Sequence, residues 1–335
     1  MAEQNSATAT ELSRPARGAA LERGMSVLAP LIGLLVVILV FYAIPPHAPL
    51  QLAHLRTIAV HMVIVGIAAL GMTVLIISGG IDLSVGSVIA LSSVTTALAL
   101  KAGWPVVAAL GVALATGAAC GLYNGLLVTL LRLPPFIATL GTLGFYRGLA
   151  KWISNSMPVS AATGGLEKWV QPMPQDEAMV FAPGVWVLAV LAVFVAAALH
   201  YSIPGRYAFA IGSNEATARL CGVRVERVKI GFYIFAGVMT GLAGLLQFAR
   251  LTQGDPTVAV GLELDVIAAV VIGGGSLAGG QGGVLGTLAG AFLMAFLRNR
   301  CTVLGWSNYV QEMIVGHIII VAVALDQWRL RRQRS

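Results

Sequence analysis

Residues Thr57-Ile-Ala-Val-His-Met-Val-Ile-Val-Gly-Ile-Ala-Ala-Leu-Gly-Met-Thr-Val-Leu-Ile-Ile-Ser78, followed by Gly79-Gly-Ile-Asp82-Leu-Ser84, decide the class of fold. The run from Thr57 to Ser78 holds no Asp, Glu, Lys or Arg, and it is long enough to cross a bilayer core, which takes about 20 apolar residues. A glycine pair then interrupts it, and a helix restarts at Ser84. Similar stretches recur on both sides: Met25–Ile44, Ser84–Leu100, Trp104–Leu131, Pro135–Ile153, Val180–His200, Val228–Ala249, Glu263–Ser276, Gly283–Leu297 and Tyr309–Gln327. The expected fold is an all-α polytopic membrane protein with about ten transmembrane helices, the third, eighth and ninth short.

Composition agrees. Of 335 residues, 58% are hydrophobic and 10% charged, where soluble domains carry about 25% charged. A water-soluble enzyme or regulator is therefore excluded. The 39 glycines follow no collagen-like triplet and suit closely packed membrane helices. Cys120, Cys221 and Cys301 are far apart, which argues against a disulfide framework or zinc site and for buried, inert thiols.

The net charge of +7 is read through its distribution. With the amino terminus inside, thirteen of the 21 Lys and Arg residues are cytoplasmic, in the tail 1–24, at Arg132, in the loop 201–228 with Lys229, and in the basic tail 328–335. The positive-inside rule then places both termini in the cytoplasm and the permeating domain at 25–327. Met25–Ile44 is expected to be a retained span and not a signal peptide. The long outer segment Ser154–Met179, with Glu167, Asp176 and Glu177, lies where a periplasmic partner can dock, or is a solvated connector.

Small residues mark packing seams: Gly117-x-x-x-Gly121-x-x-x-Gly125, Gly237-x-x-x-Gly241 and Gly282-x-x-x-Gly286-x-x-x-Gly290 each line one helix face. Val74–Gly86 echoes Val270–Gly282, since both are an apolar run, a glycine break and a resumed helix. Interrupted, repeated helices recur in transporters; chance likeness among apolar segments is the competing explanation.

Catalytic motifs are missing. No G-x-x-x-x-G-K-[ST] is present, and Gly273-x-Gly275-x-x-Ala278 lacks the βαβ context of a dinucleotide site. No H-E-x-x-H occurs and the five histidines form no ligand-spaced set. Intramembrane ionisable groups are few: Asp82, Glu263 and Asp265 sit where they can serve helix starts, Arg147 and Lys151 can snorkel outward, and His61 stands alone. Mid-depth carboxylates of the kind an ion-driven carrier needs are scarce. Asn124, Gln247, Thr73, Thr139, Thr142 and Asp82 are the candidate path residues for a neutral hydroxylated solute, or they bond neighbouring helices.

The loop 201–228 is the most informative segment. Ser213 or Asn214 can cap a helix, Glu215 complements its positive end and Gly222 can stop it, predicting a two-turn helix at Glu215–Cys221. Ala216, Leu220 and Val223 form its apolar stripe beside Arg219 and Arg224. Such a helix is either a knob for a partner's groove or an ordinary amphipathic loop.

Asn214-Glu215-Ala216-Thr-Ala-Arg219-Leu220-Cys-Gly222, with Val225-x-x-Val228-Lys229 after it, resembles the coupling segment of the ribose-class ABC importer permeases. Gly79-Gly-Ile-Asp82-Leu-Ser84-Val-Gly86, Pro134-Pro-Phe136-Ile-Ala-Thr139-Leu-Gly141-Thr and Ile272-Gly-Gly-Gly275-Ser-Leu-Ala-Gly-Gly280-Gln-Gly282 resemble that family's other signatures, in order from about His61 to Leu325. The resemblance implies a type II importer bundle in the bacterial inner membrane. It implies a second permease chain, identical or related, ABC ATPase subunits that hold ATP and Mg, and a periplasmic sugar-binding protein. This chain is then a transporter subunit without its own ATPase site, cofactor, metal or nucleic-acid partner, and Asn214, Glu215, Ala216, Arg219, Leu220 and Gly222 couple it to the ATPase. The competing class is a self-sufficient secondary carrier or facilitator for a neutral polar solute.

Overall fold

The computed structural model describes residues 51–172 and 179–334, with side chains in the last helix described as far as Ala324. The expected span Met25–Ile44, the tail 1–24, Asp176 and Glu177, and the side chains of the tail 328–335 lie outside the described residues.

The described residues form eleven α-helices: α1 (Leu52–Ile77), α2 (Val85–Lys101), α3 (Val106–Thr129), α4 (Pro135–Ile153), α5 (Pro183–Tyr201), α6 (Ile203–Ser213), α7 (Glu215–Leu220), α8 (Val225–Leu251), α9 (Leu262–Ile272), α10 (Val284–Val303) and α11 (Asn308–Arg334). Four of them, α1, α3, α5 and α8, are both long and apolar enough to cross a membrane, and α2 and the first part of α11 are shorter apolar helices. The expected spans within the described residues all appear as helices, with three departures. Eleven residues give α9 a length of about 16 Å, roughly half a hydrocarbon core, because Gly273 ends it four residues before the expected limit. Conversely α10 runs on to Val303 through Arg298, Asn299 and Arg300. Helix α6 was not expected, although Ser202 caps it by accepting the Gly205 N–H at 3.1 Å and Pro204 lies in its first turn.

Burial separates the four long apolar helices: 89% of the hydrophobic window of α1 and 78% of that of α8 is buried, whereas α3 and α5 bury 28% and show the remainder outward. Leu122, Phe136, Leu140, Phe145, Val190 and Phe194 make an exposed apolar surface that needs lipid or a second chain to cover it.

Glycine sets the central contact, between α3 and α8. A Cβ on Gly117 would land on the Gly237 carbonyl oxygen, one on Gly237 on the Gly117 oxygen, and one on Gly121 on the Tyr233 oxygen. The backbones therefore touch, as the four-residue spacing predicts.

The internal echo is present in local structure. After α1, Gly79 N–H bonds Ile76 O at 3.0 Å and Gly80 N–H bonds Leu75 O at 2.8 Å; after α9, Gly274 N–H bonds Val271 O at 3.0 Å and Gly275 N–H bonds Val270 O at 2.8 Å. Gly79 and Gly274 have φ of 75° and 90°. Both are Schellman ends, which need a left-handed residue at that position.

A short antiparallel pair, Val159–Ser160 with Gln253–Gly254, ties the segment after α4 to the end of α8. That segment is thus partly folded onto the bundle, with Leu166 and Val170 buried. Two further expectations need correction. Cys120 and Cys301 are buried but Cys221 is exposed, because it follows the short helix α7 at a surface turn. Arg147 does more than snorkel: its guanidinium donates to Pro256 O at 2.9 Å and Val258 O at 2.6 Å, pinning the loop after α8.

Candidate functional site

One end of the bundle gathers the loops 78–84, 201–224 and 273–283. Asn214 ends α6 and caps α7, its Oδ1 accepting the Thr217 N–H at 3.0 Å. A third Schellman end closes α7: Gly222 (φ 84°) bonds Arg219 O at 3.0 Å and Val223 N–H bonds Ala218 O at 3.1 Å. Ala218 is the buried contact of α7, while Ala216 and Leu220 face outward, Leu220 being 89% exposed. The stripe read from the sequence is therefore an outward apolar tip, and Ala218, outside that stripe, is the anchor.

Charge holds α7 to the start of α8. Glu215 Oε1 accepts from Arg219 Nη2 at 2.8 Å, and Glu215 Oε2 accepts from Lys229 Nζ at 2.6 Å. Arg219 also pairs with Glu226. The Lys229 ammonium, hydrogen-bonded to the carboxylate, holds Glu215 below the usual carboxylate range, and Arg219 adds to this. Glu215 is therefore anionic at neutral pH, and this contribution to the network falls away as pH drops through that lowered value. Lys229 and Glu226 as partners were not evident in the sequence, since only the Gly222 turn brings α8 back beside α7.

Beneath α7 lies a junction built mostly of backbone. Gly280 N–H bonds Ile77 O at 2.8 Å, and a Cβ on Gly212 would strike both Ile77 O and Gly280 N. A Cβ on Gly279 would lie 2.7 Å from Gly212 O, and one on Gly280 2.7 Å from Ser213 Oγ. The residues just before the α7 cap thus rest directly on the end of α1 and on the break between α9 and α10.

A buried polar network lies next to this end. Asp82 Oδ1 accepts Ser84 N–H at 2.7 Å and Ser84 Oγ–H at 2.6 Å, so it organises the start of α2. Asn124 Nδ2 donates to Ser84 Oγ at 2.9 Å and to Asp82 Oδ2 at 3.3 Å, and the Tyr146 hydroxyl lies 3.0 Å from Asn124 Oδ1. Helices α2, α3 and α4 are joined there. Thr73 in α1 bonds Ala69 O at 2.7 Å and lies 2.8 Å from Thr287 Oγ1 in α10. Thr139 bonds back to Pro135 O, and Thr142 to Thr139 O. The candidate path residues Asp82 and Asn124 are thus brought together, and Thr73, Thr139 and Thr142 make their hydrogen bonds elsewhere.

Gln247 is at the opposite end, lining a cavity of about 270 Å³ with His61, Arg250, Asp265 and Arg298 among others. Arg298 Nε donates to Asp265 Oδ2 at 2.6 Å, and Arg250 Nη2 lies 3.1 Å from His61 Nε2. Asp265 is thus more than a helix-start charge, and His61 is not alone. No group of three or more His, Cys, Asp or Glu residues suited to a metal occurs among the described residues.

The chain matches the family described as branched-chain amino acid transport system / permease component over residues 55–323. It belongs to that family of membrane permeases. The ribose import permease protein RbsC of Escherichia coli K12 is 38% identical over 301 residues, covering 88% of this chain and 92% of that protein. The probable ABC transporter permease protein YphD of the same strain is 36% identical over 295 residues (87% and 88%). The autoinducer 2 import system permease protein LsrC of Yersinia pseudotuberculosis YPIII is 36% identical over 270 residues (78% and 74%). No solved structure matches this chain. Together with the apolar helices, these relationships make it a multi-pass inner-membrane permease component of an ABC transporter. The self-sufficient carrier class is set aside. ABC permeases of this kind work in general with ATPase and binding-protein partners.

Proposed function

We propose that this chain forms the translocation path of an ATP-driven importer for a monosaccharide or sugar-like solute. The observation that carries the reading is α7: a capped, ion-paired helix with an exposed apolar tip at Leu220, seated on the glycine junction at Gly212 and Gly280. Such a helix fits a groove in a partner, and the residues that lead into it, Gly212 and Ser213, touch the end of α1 and the α9–α10 break. The ribose and autoinducer-2 relatives favour a sugar or related polyol over an amino acid as cargo.

In this reading Asn214, Glu215, Ala216, Arg219, Leu220 and Gly222 present the coupling surface to ABC ATPase subunits, which hold ATP and Mg; this chain carries no ATPase site of its own. A second permease bundle, identical or related, covers part of the exposed apolar faces. The α7 end and both tails face the cytoplasm, because thirteen of the 21 Lys and Arg residues lie on that side or in the tails. Of the other eight, Arg147 and Arg298 are neutralised or tied within the fold. A periplasmic sugar-binding protein docks at the opposite end. Thr73, Asp82, Asn124, Thr139 and Gln247 are the polar groups of this bundle nearest to serving the path.

The test is purification of the tagged chain from its native membrane in mild detergent. Recovery of a P-loop ATPase in near-equal amount is the expected result. Recovery of the chain alone, still moving sugar in ATP-free vesicles, would overturn the reading.

A further inference from the structure

The end of the bundle opposite α7 holds a polar cavity that neither the coupling surface nor the buried Asp82 network uses. Helices α1, α8, α9, α10 and α11 converge on it, and its volume of about 270 Å³ equals that of about nine water molecules at roughly 30 Å³ each. That space suits a single sugar ring and not a chain of them.

Its lining alternates donors and acceptors. Gln247 contributes an amide with both, and it is 6% exposed. Asp265 Oδ2 is occupied by Arg298, whereas Asp265 Oδ1 is buried with no hydrogen-bond partner in the structure. A buried carboxylate oxygen left in this state calls for a donor. Gln311 donates its Nε2 to Trp306 O at 3.2 Å, which leaves its amide oxygen as an acceptor. Arg250 lies against His61 and makes no ion pair among the described residues, so its remaining N–H groups are donors. Ile64, Val65 and Met294 supply an apolar wall.

An inorganic anion would satisfy the guanidinium groups and the Gln247 N–H groups but leave the Asp265 and Gln311 oxygens facing further acceptors. An apolar ligand would satisfy none of them. A polyol meets both sets, since every hydroxyl donates and accepts, and the C–H face of a sugar ring fits the apolar wall. We infer that this cavity is a solute-binding site within the permease bundle, in which Gln247 and Asp265 recognise the hydroxyls of one monosaccharide, with Arg250 and Arg298 as donors. The inference rests on the sugar-importer reading and adds to it a site within this chain, separate from the binding protein.

The test uses the purified complex of this chain with its co-purifying subunits, in lipid nanodiscs and without binding protein. Ligand-observed NMR measures binding of D-ribose, D-xylose, D-galactose and D-glucose, and uptake of the same labelled sugars is followed in intact cells. Saturable binding of at least one sugar is expected. It should weaken at least tenfold in Gln247→Ala, and be lost in Ala295→Met, which places an apolar side chain into the cavity from a lining position. Both variants must elute as the assembled complex, so a folding defect is seen separately. Equal binding in wild type and both variants would overturn the proposal, as would uptake by cells with no saturable binding to the complex; in both cases the importer reading stands. Neither uptake nor binding of any of the sugars would overturn both.

Discussion

Glu215→Lys is expected to abolish uptake, by tenfold or more, while the chain remains in the membrane at wild-type abundance. Glu215 is the shared anion of two cations, Arg219 at 2.8 Å and Lys229 at 2.6 Å. The substitution places three positive side chains together and removes the carboxylate that keeps α7 against the start of α8. Partly exposed ion pairs contribute only about 0.2–1 kcal/mol each, so the loss of stability is small against the loss of coupling. The bundle itself is held by the apolar core and the glycine seams, which this change does not touch. Uptake and ATPase co-purification are measured on the same membranes. The double variant Glu215→Lys/Lys229→Glu restores one of the pairs and is expected to regain part of the uptake. Full uptake by Glu215→Lys would contradict the coupling role of α7.

Gly212→Val is expected to be as damaging by a different route. Its side chain would occupy the space of Ile77 O and Gly280 N, so the end of α1, the α9–α10 break and the α6 carboxyl end must separate. Overpacking of this kind costs about 1–3 kcal/mol, and the cost falls where Gly212, just before the α7 cap, meets the end of α1 and the α9–α10 break. The ATPase should still bind, because the exposed tip at Leu220 is unchanged, but hydrolysis should no longer drive uptake. The measurement is the ratio of sugar moved to ATP hydrolysed, with a tenfold fall expected. A Gly212→Val complex with a normal ratio would show that motion does not pass through this junction.

These residues also show what the sequence could and could not reveal. The crossing helices were legible because length and apolarity are local properties, and α4 spans the residues read from the sequence, Pro135–Ile153, since Pro135 fixes its start. Glycine seams are legible where the four-residue spacing falls on a helix, at Gly117–Gly125, Gly237–Gly241 and Gly286–Gly290, whereas Gly282 lies in the break before α10 and on no helix face. Helix α7 was legible from Asn214 and Gly222, a cap and a stop. Helix α6 is announced by Ser202-Ile-Pro204, a cap followed by a first-turn proline, but it lies inside the segment 201–228 that the charge distribution marks as a loop between spans. The pairings of Asp265 with Arg298 and of Glu215 with Lys229 join residues 33 and 14 positions apart, and no local pattern announces them. The polar cavity was missed for the same reason: His61, Gln247, Asp265 and Gln311 belong to four helices and meet only when these pack.

In the proposed cycle, sugar crosses this bundle at the expense of ATP used by a partner on the α7 side. The most direct measurement is accumulation of labelled D-ribose or a related monosaccharide in vesicles holding the purified complex, with binding protein outside and ATP trapped inside. Concentrative uptake that requires internal ATP, and that no proton or sodium gradient replaces, is the predicted result. Accumulation driven by an ion gradient with this chain alone would contradict it.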